Sequence, residues 1–183
     1  FNPDKHMHYV KFWGFKGPLA CWICIWGTIA MLTSAPFDDW WHNTYGLDVQ
    51  IISPPHIVLA MGIFAIGLGS VLLILAERNL VDDSQRKTFD FVYLYAASLI
   101  LLQFCIVLTE YSFANKQHSY EYYKFSAIIY GFIIITFSQA SKMPFSATII
   151  AVLFIIHRLL ILWILPLFEA EPLLGPIYRK IDH

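Results

Sequence analysis

HIVLAMGIFAIGLGSVLLILA, residues 56–76, decides the fold of this chain, because these 21 residues include no Asp, Glu, Lys or Arg. A helix needs about 20 mainly apolar residues to cross the hydrocarbon core of a bilayer. The whole chain has the same character: 58% of its residues are hydrophobic and 14% are charged, whereas a soluble domain has about 25% charged residues. We therefore predict that this stretch is a membrane-spanning helix.

Four other stretches meet the same criterion, so the chain is predicted to be an all-α, polytopic membrane helical bundle with about five transmembrane helices. The predicted spans are 17–35, 56–76, 89–109, 122–140 and 145–168. No repeat, low-complexity tract or linker divides the sequence, and we expect residues 1–183 to form a single transmembrane domain. Gly62, Gly67 and Gly69 in the second span predict a shallow surface where another helix approaches closely.

The basic residues predict the orientation of the bundle, since Lys and Arg concentrate in short cytoplasmic loops. They lie before the first span, after the second and after the fourth, at Lys5, Lys11, Lys16, Arg78, Arg86, Lys87 and Lys142. The loop 36–55 has none. We expect a cytoplasmic N-terminus, and an integral protein of a bacterial inner (cytoplasmic) membrane.

The net charge and the two ends of the sequence bear on the partners of the protein and on the extent of the chain. A formal net charge of −1 argues against nucleic acid as a partner, and we expect the bilayer and other membrane subunits instead. The first residues have no apolar core followed by a cleavage site, so no signal peptide is predicted. The chain starts at Phe1 and ends in GPIYRKIDH, which indicates a piece of a longer chain.

Cys21 and Cys24 form a C-x-x-C pair, a spacing that in soluble proteins indicates redox or zinc chemistry. Both lie inside the first predicted span. Two small side chains packed on one face of a membrane helix are the favoured interpretation.

The outer loop, APFDDWWHNTYGLDVQIISPPH at 35–56, combines carboxylates and histidines. Asp38 and His42 are four residues apart, so their side chains share one face if the first helix continues past Pro36. Pro36 is expected to kink that helix or to start a fresh turn, because it lacks an amide hydrogen.

Ser53-Pro54-Pro55-His56 is typical of a helix start, with serine as N-cap and proline in the first turn. Two antiparallel helices joined by a short loop would bring Asp38, His42 and His56 together. One carboxylate and two imidazoles suit a transition metal such as copper, zinc or iron. The alternative is that these groups are solvated, or that Asp38 caps a helix.

Three neighbouring residues are candidates for a supporting role around such a metal. Asp39 points about 100° away from Asp38 around a helix, and so would orient a ligand or face outward. Asp48 would orient a histidine. Trp41 would lie at the depth of the membrane interface, where aromatic side chains are common.

The run Asp38-Asp39-Trp40-Trp41-His42, followed by Asp48 and by Ser53-Pro54-Pro55-His56, resembles the metal-binding segment of the C subunit of the copper membrane monooxygenases, the particulate methane and ammonia monooxygenase family. The resemblance covers residues 35–60. It implies copper ligands at Asp38, His42 and His56, with Trp41 matching a tryptophan before the first histidine. The spacing differs, since 13 residues separate His42 from His56, where about 12 are expected. The family's second polar cluster is not reproduced.

His157 and Arg158 interrupt the fifth span, and ionisable residues at that depth are functional candidates by default. Three functions follow from the sequence. The first is a copper-binding, or alternatively zinc-binding, subunit of a membrane monooxygenase acting on a small apolar substrate, with its catalytic residues unknown. The second is a non-catalytic membrane subunit of a larger complex. The third is a proton or ion transporter that uses His157 and Arg158.

Overall fold

The computed structural model of the protein describes residues 9–46, 52–113 and 115–168. Its helices are α1 (Leu19–Tyr45), α2 (Pro54–Arg78), α3 (Asp83–Ile106), α4 (Tyr120–Ser141) and α5 (Ser146–Ile164). All five segments are long and apolar enough to cross a membrane. The predicted all-α membrane helical bundle is confirmed, and the chain is an integral membrane protein.

α1 is longer than its predicted span of 17–35, because the helix continues through Pro36 to Tyr45. Of the two alternatives expected for Pro36, the fresh turn is therefore wrong, and the kink stays a prediction. A proline inside a helix removes one hydrogen bond, here the one to the carbonyl of Leu32. That loss is local, and the helix resumes on the other side of it. As a result, the acidic and histidine-bearing segment after Pro36 is helical.

A short β-hairpin, which was not predicted from the sequence, precedes α1. β1 (Tyr9–Phe12) pairs antiparallel with β2 (Phe15–Pro18), and the turn between them has positive φ at Trp13 and Gly14. One face of the hairpin packs on α1, where the Trp22 indole donates a hydrogen bond to the Val10 carbonyl at 3.1 Å. Residues 9–18 therefore pack against the first helix.

α3 is the central helix of the bundle, since it packs against α2, α4 and α5. Of the five apolar segments, α3 together with its continuation to Ser112 has the largest share of buried residues, and α5 has the smallest. The buried core is Val71, Tyr93, Leu94, Ala97, Ile100, Leu101, Ile133 and Ile150. The Tyr93 hydroxyl donates to the Phe137 carbonyl at 3.1 Å, which links α3 to α4.

Small residues let α1 and α2 approach closely, as the glycines of the second span predict. A Cβ on Gly62 would lie 2.7 Å from the carbonyl oxygen of Gly27, and a Cβ on Gly69 would lie 2.6 Å from the Cys24 sulfur. Cys24 and Cys21 are half-buried free thiols, and Cys105 on α3 is a buried one. The sulfur of Cys24 therefore packs at the helix contact, as the favoured interpretation expects for a small side chain.

An ion pair joins three helices at the end of the bundle that carries the hairpin. Arg78, at the end of α2, is 6% exposed and pairs with Asp90 of α3. The Arg78 guanidinium also donates to the Ser141 carbonyl at the end of α4, at 2.7 Å. This network fixes the helix ends that lie opposite the acidic and histidine-bearing end of α1.

Candidate metal centre

Asp38, His42 and His56 meet where α1 ends and α2 begins. The Asp38 Oδ1 atom lies 3.5 Å from the Nε2 atom of His42 and 3.8 Å from the Nδ1 atom of His56. All three side chains are about one-third exposed or less. The three residues that the sequence predicts as metal ligands are thus brought together around one carboxylate oxygen.

Local structure explains this meeting. Because α1 continues past Pro36, Asp38 and His42 lie one turn apart on the same face. α2 begins at Pro54 with Ser53 as its N-cap residue, which places His56 in the first turn. The Ser53 hydroxyl does not cap the helix backbone, as its position would predict; it forms a hydrogen bond with His56 Nδ1 at 2.7 Å.

The ring of His42 is oriented by a backbone carbonyl. Its Nδ1 atom lies 3.2 Å from the carbonyl oxygen of Gly46. A carbonyl can only accept, so Nδ1 carries the hydrogen and donates it. In the neutral ring the other nitrogen, Nε2, then presents a lone pair, and it faces the Asp38 carboxylate. The two facing electron pairs repel each other, and a proton, a water molecule or a metal ion between them would remove that repulsion.

The Asp38 carboxylate also has an atom without a hydrogen-bond partner. Its Oδ1 atom is fully buried and forms no hydrogen bond with any described residue. A buried carboxylate oxygen without a partner costs free energy. Imidazole nitrogens of His42 and His56, both potential metal ligands, lie 3.5 Å and 3.8 Å from it.

One carboxylate and two imidazoles are donor types that copper and zinc accept. Two atoms bound to one metal at about 2.1 Å in a tetrahedral arrangement lie roughly 3.4 Å apart, close to the 3.5 Å and 3.8 Å found here. However, among the described residues no group of three His, Cys, Asp or Glu side chains stands ready to hold a metal ion. The His56 ring is turned toward Ser53, so it would have to release that hydroxyl or present its other nitrogen.

The three candidate supporting residues lie in different surroundings. Asp39 is exposed and accepts a hydrogen bond from the Asn43 amide at 3.3 Å, so it faces away from Asp38. The Trp41 indole N–H is buried without a partner in the described structure, and its ring packs on Tyr45 at a centroid distance of 4.4 Å. Asp48 lies outside the described residues.

An apolar cavity of about 250 Å³ lies beside the cluster, between α2 and the end of α3. Its wall includes Ile52, His56, Ile57, Leu59, Ala60, Ile63, Phe64, Gln103, Ile106, Val107 and Tyr111. At its C-terminal end α3 continues as a π-helical turn over Val107–Ser112, a distortion that is frequent at functional sites. His56 belongs both to the cluster and to the cavity wall.

This cavity was not predicted from the sequence. Its walls come from apolar residues of two helices, and such residues do not distinguish a cavity from a packed core in the sequence. The one residue in the sequence that could have indicated a cavity here is Gln103, the single amide side chain in the predicted span 89–109.

His157 and Arg158 lie on α5, away from the cluster. The Nδ1 atom of His157 donates to the carbonyl of Leu153 at 2.7 Å, and its ring is 5.2 Å from that of Tyr95. Arg158 is half-buried and forms no ion pair within the described ranges. A transport role for this pair stays a prediction.

Comparisons with protein-family models, with curated proteins and with solved structures give no match to this chain. The resemblance to the C subunit of the copper membrane monooxygenases therefore stays a prediction that rests on residues 35–60.

Proposed function

We propose that this protein is an integral membrane subunit that holds copper through Asp38, His42 and His56 at one surface of the membrane, and that it takes part in the oxidation of a small apolar substrate. The ligand set is the one that the resemblance to the monooxygenase C subunit implies. Copper bound there would supply the chemistry that activates dioxygen.

One observation carries the proposal: the buried Asp38 Oδ1 atom has no hydrogen-bond partner among the described residues and lies between two imidazole nitrogens. With His42 held by the Gly46 carbonyl, its free nitrogen faces this oxygen. A divalent cation there would compensate the carboxylate charge and bind the lone pair of His42 Nε2, and His56 would join it after releasing the Ser53 hydroxyl. In known metal sites, a hydrogen bond from one ring nitrogen to a backbone carbonyl, like that from His42 to Gly46, fixes the tautomer of a ligating histidine.

The neighbouring cavity supports the choice of substrate. Its lining is almost entirely apolar, and it reaches His56. An apolar molecule dissolved in the bilayer would enter such a space without losing hydrogen bonds to water. The roles of the chain's own residues are then to hold the metal (Asp38, His42 and His56) and to exclude water (the walls of α2 and α3).

The second candidate function is a non-catalytic membrane subunit of a larger complex. It is favoured by the hydrogen bond between His56 Nδ1 and the Ser53 hydroxyl, which occupies the nitrogen that lies 3.8 Å from Asp38 Oδ1. In that case a proton on His42 would compensate Asp38, and the three side chains would only join the ends of two helices.

Metal analysis of the detergent-purified protein discriminates the two candidates. We expect about one copper ion per chain in the wild type, and loss of most of it in His42→Ala and in His56→Ala. His118→Ala is the matched control, because His118 is exposed, lies in the α3–α4 connection and contacts the Tyr123 hydroxyl. Equal metal in all four proteins would reject the proposal and leave the non-catalytic subunit. Zinc in place of copper would keep the site and reject its oxidative role.

A further inference from the structure

α5 carries a permanent charge close to the middle of the membrane. The apolar segment that contains α5 runs from Ser146 to Leu167, and Arg158 lies near its centre. At 1.5 Å per helical residue, Arg158 is about 18 Å from the first residue of the segment and about 14 Å from the last, in a hydrocarbon core about 30 Å thick. Arg side chains near helix ends reach the membrane surface, but Arg158 is far from both ends.

Arg158 lies at the margin of the face by which α5 packs on the bundle. The packed face includes Ile150, which is fully buried, and His157, whose ring contacts a tyrosine of α3. Arg158 is rotated by about 100° from His157, toward Ile155 and Leu162, whose exposed fractions are 52% and 64%. Its side chain is half-buried, and its nitrogens are not among the polar atoms that are sealed from the surface. The guanidinium is therefore accessible to a neighbouring molecule on the open side of α5.

The charge of Arg158 requires a counter-ion that the membrane-spanning parts of this chain do not contain. A guanidinium stays protonated in proteins, so Arg158 cannot become neutral at this depth. Charged side chains inside a membrane are nearly always paired, but Arg158 forms no ion pair with any residue that the structure describes. The apolar parts of the five segments contain no Asp or Glu, over 20–37, 54–76, 91–109, 122–141 and 146–168. The carboxylate must therefore come from outside these parts of the chain.

We propose that the open side of α5 binds a transmembrane helix of a different subunit, whose Asp or Glu near mid-membrane pairs with Arg158. A second copy of this chain cannot supply that carboxylate, because its spans have the same composition. Lipid phosphates have the right charge but lie at the membrane surface, roughly 15 Å from the midplane. The exposed side chains of Ile155, Leu162 and Leu165 provide an apolar surface around Arg158 for such a helix. The inference rests on the subunit role in the proposed function, but it needs neither the metal nor the cavity.

A designed helix tests this surface in lipid vesicles. The probe is a leucine-alanine peptide of about 22 residues with Lys at both ends and one Glu at its centre, and a second peptide has Leu in place of that Glu. The full chain carries a donor dye and each peptide an acceptor dye, so that energy transfer at low peptide-to-lipid ratio gives the dissociation constant. We expect the wild type to bind the Glu peptide about five- to thirtyfold more tightly than the Leu peptide, as for a polar contact between membrane helices. Arg158→Leu should bind both peptides alike.

Three controls make the result specific. Arg86→Leu removes an exposed arginine and should prefer the Glu peptide as the wild type does. Arg158→Glu should reverse the preference, so that a peptide with a central Lys binds more tightly than the Glu peptide. A photoreactive residue at Leu162 should cross-link to the Glu peptide, whereas one at Leu32, which is exposed on α1, should not.

Stability and metal content separate this inference from its alternatives. Arg158→Leu should leave the midpoint of thermal unfolding of the isolated protein unchanged or raised, because it removes an unpaired charge from an apolar surface. A lowered midpoint would show that Arg158 is paired within its own chain, and would overturn the inference. Equal binding of the two peptides by the wild type, or a Glu preference that survives in Arg158→Leu, would also overturn it. His42→Ala should keep the Glu preference although it loses metal, and the same preference in a wild type without metal would reject only the metal site.

Discussion

At the scale of single residues, Asp38 is the side chain on which the site depends. Its carboxylate is half-buried, is shared by two histidines, and has one oxygen sealed from solvent. Asp39, its neighbour in sequence, is exposed and bound to Asn43. Two adjacent carboxylates thus have opposite environments, because successive residues of a helix point about 100° apart.

Asp38→Asn tests whether a metal or a proton compensates this carboxylate. The substitution removes the charge but supplies an amide that can donate to His42 Nε2. If copper is the cation, we expect Asp38→Asn to lose most of its metal, while the metal-free protein keeps its thermal stability to within about 0.5 kcal/mol. Metal content and thermal unfolding are measured on the same preparations.

Asp39→Asn is the matched control for that experiment, and both its metal content and its stability should stay at wild-type values. A metal-free Asp38→Asn protein that is destabilised by about 1 kcal/mol or more would instead indicate an ion pair with a protonated His42. That result would contradict the metal interpretation.

Part of this site could be predicted from the sequence. The spacing of Asp38 and His42 is a local property of a helix, and the Ser-Pro-Pro-His pattern specifies a helix start. The roles of Ser53 and Gly46 could not be predicted, because each depends on where a ring nitrogen points after the two helices have packed. The single oxygen that both histidines approach is likewise a consequence of tertiary structure.

At the scale of helices, the contact between α1 and α2 determines whether the two halves of the site meet. Gly27 and Gly62 bring the two backbones together, and a Cβ on Gly27 would lie 2.8 Å from the Gly62 carbonyl oxygen. Backbone atoms cannot move aside as a flexible side chain can. The distance between Asp38 on α1 and His56 on α2 therefore depends on glycines deeper in the membrane.

Gly27→Ala should force α1 away from α2, which costs about 1–3 kcal/mol of stability and lowers metal retention. Gly131→Ala is the matched control, because nothing lies within 4 Å of the added Cβ in α4. There we expect unchanged or slightly raised stability, by about 0.5–1 kcal/mol, since alanine favours helix. Thermal unfolding in detergent measures both, and equal effects at the two positions would reject the close contact.

The ion pair at the other end of the helices gives a second prediction. Arg78→Ala would leave Asp90, which is 13% exposed, as an uncompensated buried charge and free the Ser141 carbonyl. We expect a loss of about 3–5 kcal/mol, measured by thermal or denaturant unfolding.

The control is Arg86→Ala, since Arg86 pairs with a fully exposed Asp83 at 3.8 Å. Removing such a surface pair should have almost no effect. A similarly small effect of Arg78→Ala would show that the buried network does not hold the helix ends together.

Hydropathy could predict all five helices, because a run of apolar residues long enough to cross the bilayer is visible in the sequence alone. It could not predict the extension of α1 beyond Pro36, since residues 36–45 are polar and aromatic. The β-hairpin could not be predicted because each of its strands is only four residues long. The partner of Arg78 was hidden as well, because Asp90 is on the next helix and Ser141 on the one after it.

At the scale of the whole molecule, the fold separates two ends with different chemistry. The ends of α1 and α3 and the start of α2 carry the histidine-carboxylate cluster and the cavity. The opposite end carries the hairpin and the Arg78 network. α1 packs on α2 and the hairpin, and α5 is the least buried of the five helices, so broad apolar faces are left for lipid or for other subunits.

The orientation of these two ends is the last prediction, and cysteine labelling tests it. Lys and Arg of the described residues favour the hairpin end, which predicts that this end faces the cytoplasm. In a background without Cys21, Cys24 and Cys105, a cysteine at the exposed Lys116 should react with a membrane-impermeant maleimide in right-side-out vesicles. A cysteine at the exposed Gln85 should react only in inside-out vesicles. Because α1 ends and α3 ends on the same side, Lys116 also reports the side of Asp38 and His56. The reverse pattern would place the candidate metal centre at the cytoplasmic surface, where copper and an electron donor would have to come from inside the cell.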